Sequence, residues 1–128
     1  MKTKSRKADE YTLQKNVCIY LDLQYKNVFY NGSAGGQYQK YVSQRVKNKA
    51  CGYKSGFPDL FIYEPRTIDG VLYNGLALEL KVKGNYPSTN QKKVLEILNA
   101  KGYKAVVCTG LEQTLETIDN YLKLKGKQ

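Results

Sequence analysis

Two acidic residues and a lysine, Asp59, Glu79 and Lys81, have types and spacing that could carry out chemistry. Asp59 follows Pro58 at the start of an apolar segment, and Glu79 lies in a second one, two residues before Lys81. Residues i and i+2 of a strand share a face, so Glu79 and Lys81 would project together. Two ionised carboxylates brought close repel each other unless a cation lies between them. The three residues therefore predict a divalent-metal site with a lysine that stabilises negative charge or helps water lose a proton.

The same residues have a purely structural interpretation. Glu79 and Lys81 would form an exposed ion pair along one strand face, and Asp59 would cap a turn. A Pro-Asp dipeptide followed by Glu-x-Lys also arises by chance, so the bare match is weak. Its context favours a site, because the aspartate begins one strand and the glutamate and lysine share a face of the next.

The sequence contains no histidine, which excludes Ser-His-Asp and Cys-His catalysis and every histidine-based nuclease mechanism. Any general base or metal ligand must then come from carboxylates, Lys, Tyr or backbone carbonyls, and the oxygen donors among these suit Mg²⁺ or Mn²⁺. Cys18, Cys51 and Cys108 are widely spaced and form no CxxC pair. They are predicted to be reduced thiols rather than a zinc site or a disulfide framework.

The charge balance indicates a polyanionic partner. Lys and Arg number 21 against 11 Asp and Glu, a formal net charge of +10 over 128 residues. Residues 47–56 interleave Lys and Tyr and are predicted to be a loop that grips a phosphate backbone and stacks on a base, with a solvated loop as the alternative. The candidate DNA-binding residues are Lys47, Lys49, Tyr53, Lys54 and Lys83.

The elements that position these residues follow from hydrophobic periodicity. The pattern predicts a basic, mobile arm over residues 1–8 and a single domain over residues 9–125. Strands are predicted at residues 28–30 and 57–63, at 71–73 continuing with 76–82 as one strand element, and at 103–109, with a turn-rich connection at 64–70. Helices are predicted from Asp9 through Leu21, as a short element around residues 38–46, from Ser88 to Lys101, and after Thr109. Ser88 with Gln91 and Thr109 with Glu112 are capping-box patterns, and Gly102 ends a helix.

The resulting element order is α, β, short α, β, β, α, β, α, which indicates an α/β fold with a mixed sheet flanked by helices. No apolar run is long enough to span a membrane, and the N-terminus lacks an apolar signal segment. We expect a soluble, cytoplasmic protein with no membrane partner.

The sequence resembles the virus-type replication-repair nuclease (VRR-NUC) domain, a family of the PD-(D/E)xK nuclease superfamily. The resemblance covers most of the chain and rests on four elements in order. These are Gly52-x-x-x-Gly56-Phe57-Pro58-Asp59-Leu60, Leu78-Glu79-Leu80-Lys81, Ser88-x-x-Gln91, and a Leu-x-x-x-Gly close from Leu98 to Gly102. The resemblance implies a restriction-endonuclease-like mixed β-sheet core flanked by helices.

The resemblance also implies roles for individual residues. Asp59, Glu79 and the Leu80 carbonyl would ligate Mg²⁺ or Mn²⁺, and Lys81 would assist the water that attacks phosphorus. Gln91 would line the site, although position N3 of a capping box already explains a glutamine there.

The first helix of the family usually carries a glutamate that reaches the active site. Glu10 is the matching position and would be a further catalytic and metal-binding residue, with Asp9 beside it as a competing assignment. A carboxylate in a first helical turn can alternatively be a charge favoured by the helix dipole.

By this resemblance, the expected activity is that of a metal-dependent, structure-selective DNA endonuclease. Small members of the family, often from phages, look like homodimeric enzymes that cut branched or flapped, Holliday-junction-like DNA. The alternative is a catalytically silent DNA- or junction-binding module, against which the intact Asp, Glu and Lys argue. We expect the dimer contact around residues 28–46, where Tyr38 and Tyr41 lie outside the predicted strands. Alternatively, these tyrosines stack on bases or pack on their own sheet.

Overall fold

A four-stranded mixed sheet lies at the centre of the computed structural model, which describes residues 2–33 and 42–123. The helices are α1 (Lys2–Gln24), α2 (Val42–Ala50), α3 (Thr89–Ala100) and α4 (Gly110–Leu122). The strands are β1 (Tyr30–Gly32), β2 (Leu60–Ile62), β3 (Arg66–Ile68), β4 (Val71–Tyr73), β5 (Leu76–Lys81) and β6 (Lys104–Thr109). The predicted α/β class, with a mixed sheet flanked by helices, is confirmed.

The strand order of the sheet is β1-β2-β5-β6. The pairs β1–β2 and β2–β5 are antiparallel, whereas β5 and β6 are parallel and are joined through α3. Strand β5 is therefore central, and apolar side chains cover both of its faces. One face packs against α1 and α4 through Leu78, and the other packs against α3 through Ala77.

The helices α1 and α4 are also joined by polar contacts. The hydroxyl groups of Tyr20 and Tyr25 both donate hydrogen bonds to the Asp119 carboxylate, with shortest distances of 2.7 and 2.6 Å. Burial, followed by the hydrogen bond to Asp119, raises the pKa of Tyr25, so its hydroxyl keeps its proton. These bonds attach the C-terminal half of α1 to α4.

The predicted connection at residues 64–70 is wrong, because part of it is strand β3. Strands β3 and β4 form a separate antiparallel hairpin in which Ile68 is opposite Val71. The two residues between them, Asp69 and Gly70, have φ values of 52° and 82°. An Asp-Gly pair with both residues at positive φ is a preferred two-residue hairpin turn. The Asp-Gly sequence thus favours a hairpin over an irregular connection.

Several predicted boundaries also differ from the structure; strand β2, for example, spans only Leu60–Ile62 rather than residues 57–63, so Asp59 precedes it. Helix α1 begins at Lys2 rather than Asp9, because Lys, Arg and Ala favour a helix even without an apolar face. Helix α2 continues to Ala50, so Lys47 and Lys49 are helical rather than in a loop. Strand β1 begins at Tyr30 rather than Val28. Tyr38 and Tyr41 lie outside the described residues.

The two predicted capping boxes have different outcomes. At α3, Ser88 and Gln91 form both hydrogen bonds of the box, as predicted. At α4, Thr109 makes no side-chain cap, and the Gln113 side chain accepts a hydrogen bond from the Thr109 backbone N–H instead of Glu112. The amide oxygen of Gln113, one position further along α4, therefore takes the donor that the predicted box assigns to Glu112.

Among the helices that the structure describes, none has the length and apolar character needed to cross a membrane.

Candidate active site

The two acidic residues meet where the β2–β5 ladder ends. The last pair of that ladder sets Leu60 opposite Leu78, so the same register carried one residue further sets Asp59 opposite Glu79. Opposite residues of an antiparallel pair project from the same face. Close approach of the two acids also shows in their electrostatics, since the charge of Asp59 raises the pKa of Glu79.

Leu80 is held beside this pair by its backbone. One Asp59 carboxylate oxygen accepts a hydrogen bond from the Leu80 N–H at 2.8 Å. In a strand, the N–H and C=O of one residue point to the same side, so the Leu80 carbonyl also faces the β2 side. The register sets Pro58 opposite Leu80, and proline has no N–H to donate. The Leu80 carbonyl thus faces the β2 side opposite Pro58, which offers it no ladder donor.

Glu79 and Lys81 form a buried ion pair. The Lys81 Nζ lies 3.1 Å from Glu79 Oε2, and only 11% and 2% of the two side chains are exposed. The alternative of an exposed ion pair with Asp59 capping a turn is wrong, because the pair is buried and Asp59 binds a strand N–H. The second oxygen, Glu79 Oε1, is also buried and has no hydrogen-bond partner among the described residues.

Both carboxyl groups resist ionisation. Burial, reinforced by the negative charge of Asp59, raises the pKa of Glu79 to about 7, although Lys81 opposes the rise. Burial also raises the pKa of Asp59, against the opposing effects of the Leu80 N–H and Lys81. Two acids whose charged forms are disfavoured by burial and mutual repulsion are relieved by a nearby cation.

Glu10 lies close to this pair on α1. Its charge contributes to the raised pKa of both Asp59 and Glu79, and its Oε2 accepts a hydrogen bond from Asn85 Nδ2 at 2.7 Å. Within residues 2–33 and 42–123, no group of three or more Asp, Glu, His or Cys side chains is arranged to hold a metal ion. The role of Glu10 as a further metal ligand stays a prediction.

Two neighbouring residues were not predicted from the sequence. Asn85 follows β5 in a turn, and its pairing with Glu10 joins positions 75 residues apart, so no local pattern reveals it. Gln14 lies one helical turn after Glu10, a spacing that could have identified it. Its side-chain nitrogen lies 3.4 Å from the Asp59 backbone oxygen.

The Gln91 side chain is engaged in the helix cap. Its Oε1 accepts a hydrogen bond from the Ser88 backbone N–H at 2.8 Å, and the Gln91 backbone N–H donates to Ser88 Oγ at 3.1 Å. The capping box uses the amide oxygen and leaves the amide nitrogen for other roles. Its function in the site stays a prediction.

The residues around Glu79 fit a hard divalent cation. The orphaned Glu79 Oε1, the Asp59 carboxylate and the Leu80 carbonyl are all oxygen donors, the type that Mg²⁺ and Mn²⁺ prefer. A cation at the unpartnered oxygen would satisfy a buried acceptor that is otherwise costly.

A groove of about 710 Å³ lies between α3 and the segment that leads from α2 to β2. Its lining consists of Arg45, Lys49, Tyr53, Lys54, Ser55, Phe57, Asn90, Lys93, Val94, Ile97 and Leu98. Three of the predicted DNA-binding residues, Lys49, Tyr53 and Lys54, are in this lining. Lys47 and Lys83 are exposed but lie outside it.

The contribution of α3 to this groove was not predicted. Asn90, Lys93, Val94 and Ile97 recur at spacings of three, one and three, which place them along one side of the helix. This spacing could have identified the groove side of α3, but not the segment opposite it.

Comparison with known proteins gives consistent results. A family model described as the VRR-NUC domain matches residues 2–112. A solved structure described as a VRR_NUC domain protein is 28% identical, with a TM-score of 0.69, covering 89% of this chain and 88% of that chain. No curated protein matches the chain.

Proposed function

The chain belongs to the VRR-NUC domain family and has a nuclease-type fold, and from this premise we propose that it is a metal-dependent DNA endonuclease. The observation that carries the proposal is the buried Glu79 Oε1, which has no hydrogen-bond partner in the described part of the chain, at a position where the strand register sets Asp59 opposite. A structural acid at this depth would be expected to have both oxygens satisfied. A carboxylate that binds a cation uses one oxygen for the cation, so that oxygen needs no hydrogen-bond donor.

In this proposal, Asp59, Glu79 and the Leu80 carbonyl hold Mg²⁺ or Mn²⁺. When bound, the cation supplies Lewis-acid stabilisation of the negative charge that develops during phosphodiester hydrolysis. Asp59 fixes the Leu80 backbone through its hydrogen bond, which orients the carbonyl. Lys81 places an ammonium beside Glu79, where it stabilises charge on a phosphate oxygen or the proton loss of an attacking water.

Two further residues are assigned supporting roles. Gln91 lines the site, with its oxygen fixed by the Ser88 backbone so that its amide nitrogen can face a phosphate. Glu10 acts through its hydrogen bond with Asn85 and through the effect of its charge on Asp59 and Glu79. It would join the metal ligands only if it left the hydrogen bond with Asn85.

The proposed substrate is branched or flapped DNA. A net charge of +10 supports a polyanionic ligand, and exposed Lys47, Lys49, Lys54 and Lys83 would contact the phosphate backbone. Tyr53 would stack on a base. These contacts position the nucleic acid, whereas the acids perform the chemistry.

We also propose a homodimer, which would present two active centres to a branched substrate. The support comes from the described part of the predicted contact region. Phe29 is 71% exposed and lies 5.8 Å, ring to ring, from Tyr63, which is 46% exposed. Paired exposed aromatic rings are typical of interaction surfaces.

The experiment that tests this function compares linear duplex, flapped and four-way DNA, with and without Mg²⁺ or Mn²⁺. We expect metal-dependent internal cleavage of the branched substrates and none in EDTA. Glu79→Gln is the matched control, because it keeps the shape of the side chain and loses its charge. Binding of all three DNAs without cleavage at any metal concentration would identify the alternative, a silent DNA-binding module.

A further inference from the structure

The groove between α3 and the segment leading to β2 combines two kinds of surface that the acidic pair does not use. The basic side chains of its lining are Arg45, Lys49, Lys54 and Lys93, and the aromatic or aliphatic ones are Tyr53, Phe57, Val94, Ile97 and Leu98. A cationic rim beside an apolar wall is complementary to a ligand that has an anionic part and a flat, weakly polar part.

The apolar wall is accessible. Phe57 is 44% exposed and Ile97 is 48% exposed, although both are large apolar residues. Their exposure in a concave, basic setting indicates a binding surface rather than a gap in the core. The dimensions suit a small planar ring: about 710 Å³ lies within the range of small-molecule sites.

The groove is fixed in position relative to the acidic pair. Phe57 precedes Asp59 by two residues, so their Cα atoms are separated by at most about 7 Å. Asn90 of α3 donates a hydrogen bond to Ser55 Oγ at 2.9 Å. Gly56 has a φ of +90°, and a Cβ there would lie 2.6 Å from the Asn90 side chain, so glycine allows this contact. The segment is therefore attached to α3 immediately before it delivers Asp59.

We propose that this groove binds one unpaired nucleotide of the DNA strand, next to the phosphodiester that is cut. This inference rests on the proposed nuclease function and deepens it. The base stacks on Phe57 and Tyr53, and the phosphate is contacted by Lys93 and the other basic side chains. A base inside an intact duplex is stacked and paired, and extracting it costs a few kcal/mol. The groove therefore selects DNA in which a base is already free, as at a flap or branch.

The first test measures binding in EDTA, so that no cleavage takes place. A short single-stranded oligonucleotide is compared by fluorescence anisotropy with the same oligonucleotide made abasic at successive positions. Both carry the same phosphates, so only the base differs. We expect one abasic position to weaken binding at least about fivefold, as loss of one stacked base should. Equal affinity for every abasic oligonucleotide would overturn the proposal.

Variants then locate the effect. Phe57→Ala and Ile97→Glu alter exposed side chains of the wall, and thermal melting checks that each variant is folded. We expect both variants to bind the intact and abasic oligonucleotides equally. If either folded variant keeps the wild-type preference for the intact base, the base is bound elsewhere and the proposal fails.

A matched charge reversal separates the groove from general electrostatics. Lys92 and Lys93 are adjacent, exposed residues of α3, but only Lys93 lines the groove. Lys93→Glu should weaken oligonucleotide binding several-fold more than Lys92→Glu at the same salt concentration. Equal weakening would contradict the proposal. A protein that passes these binding tests but cuts no DNA would defeat the nuclease function and leave the groove assignment intact.

Discussion

Asp59 and Leu80 are joined by a hydrogen bond of 2.8 Å from the Leu80 backbone N–H to the Asp59 carboxylate. This bond gives the Leu80 N–H an acceptor on β2's side of the sheet and continues the β2–β5 connection beyond its last paired residues, Leu60 and Leu78. One carboxylate therefore serves both the fold and the proposed metal site. The two contributions can be separated by substitution.

Asp59→Asn and Asp59→Ala should differ in stability but not in metal binding. Asparagine keeps an oxygen that accepts the Leu80 hydrogen bond, whereas alanine leaves a backbone donor unsatisfied, at a cost of about 1–3 kcal/mol. Both variants lose the charged ligand, so calorimetric titration should show weakened Mg²⁺ or Mn²⁺ binding in each. Unchanged metal affinity in Asp59→Asn would remove Asp59 from the ligand set.

Glu79→Gln should change how stability depends on pH in EDTA. The pKa of Glu79 is about 7 in the folded protein and 4.5 when exposed by unfolding, so the folded state holds the proton more tightly. The resulting stabilisation is complete below pH 4.5 and is lost as the pH rises through about 7. Over that interval, the wild type should lose about 3 kcal/mol of unfolding free energy relative to Glu79→Gln. Urea denaturation at a series of pH values measures this, and parallel curves would refute the assignment.

Lys81→Ala should reduce cleavage by about 10²- to 10⁴-fold, as expected for loss of a proton-transfer or charge-stabilising group. Binding should remain near that of the wild type, because the chain has 21 basic residues that share the phosphate contacts. Lys92→Ala, which removes the same charge from an exposed helix position, is the control and should leave both properties unchanged. Parallel losses of affinity and rate in Lys81→Ala would instead make this lysine a DNA-binding residue.

Gln91→Glu tests whether Gln91 does more than cap α3. Glutamate also completes a capping box, so the melting temperature should stay close to that of the wild type. The substitution replaces an amide nitrogen that can donate to phosphate with a second anionic oxygen, and cleavage should fall at least about tenfold if the side chain faces the substrate. Full activity with full stability would limit Gln91 to its capping role.

The dimer is tested by light scattering of the wild type and of Phe29→Ser at micromolar concentration. We expect the wild type to have twice the mass of one chain and Phe29→Ser to shift toward a single chain, because the serine removes an exposed ring from the proposed contact. A monomeric mass for the wild type, both alone and with four-way DNA, would exclude the dimer.

Local patterns account for the parts of the site that could be predicted. Asp59, Glu79 and Lys81 were recognisable because strand alternation and the Pro-Asp pair operate over a few residues. The Ser88–Gln91 cap is local in the same way. The Asp69–Gly70 hairpin depends on an equally local sequence. The sequence predicted the turn but not the pairing of the two strands that flank it.

The remaining features depend on how distant segments meet in space. Glu10 reaches Asn85 only because α1 crosses the sheet beside the end of β5. The sequence around neither residue indicates this contact. The groove has the same origin, since Lys93 and Phe57 line it together only through the packing of α3 against the segment that leads to β2. Burial of the Glu79–Lys81 pair likewise follows from coverage of the sheet rather than from the alternating pattern.

The contacts of Tyr20 and Tyr25 with Asp119 join the first and last described helices, so they can form only late in synthesis of the chain. Among the described elements, α1 leaves the ribosome first and α4 last. Helix α1 can therefore pack against α4 only after the other described elements have been synthesised. Glu10 is on α1, so its position near Asp59 and Glu79 depends on the packing of α1 against β5 and α4. The arrangement of Glu10 beside Asp59 and Glu79 therefore forms only late in synthesis, once the elements that α1 packs against, β5 and α4, have been made.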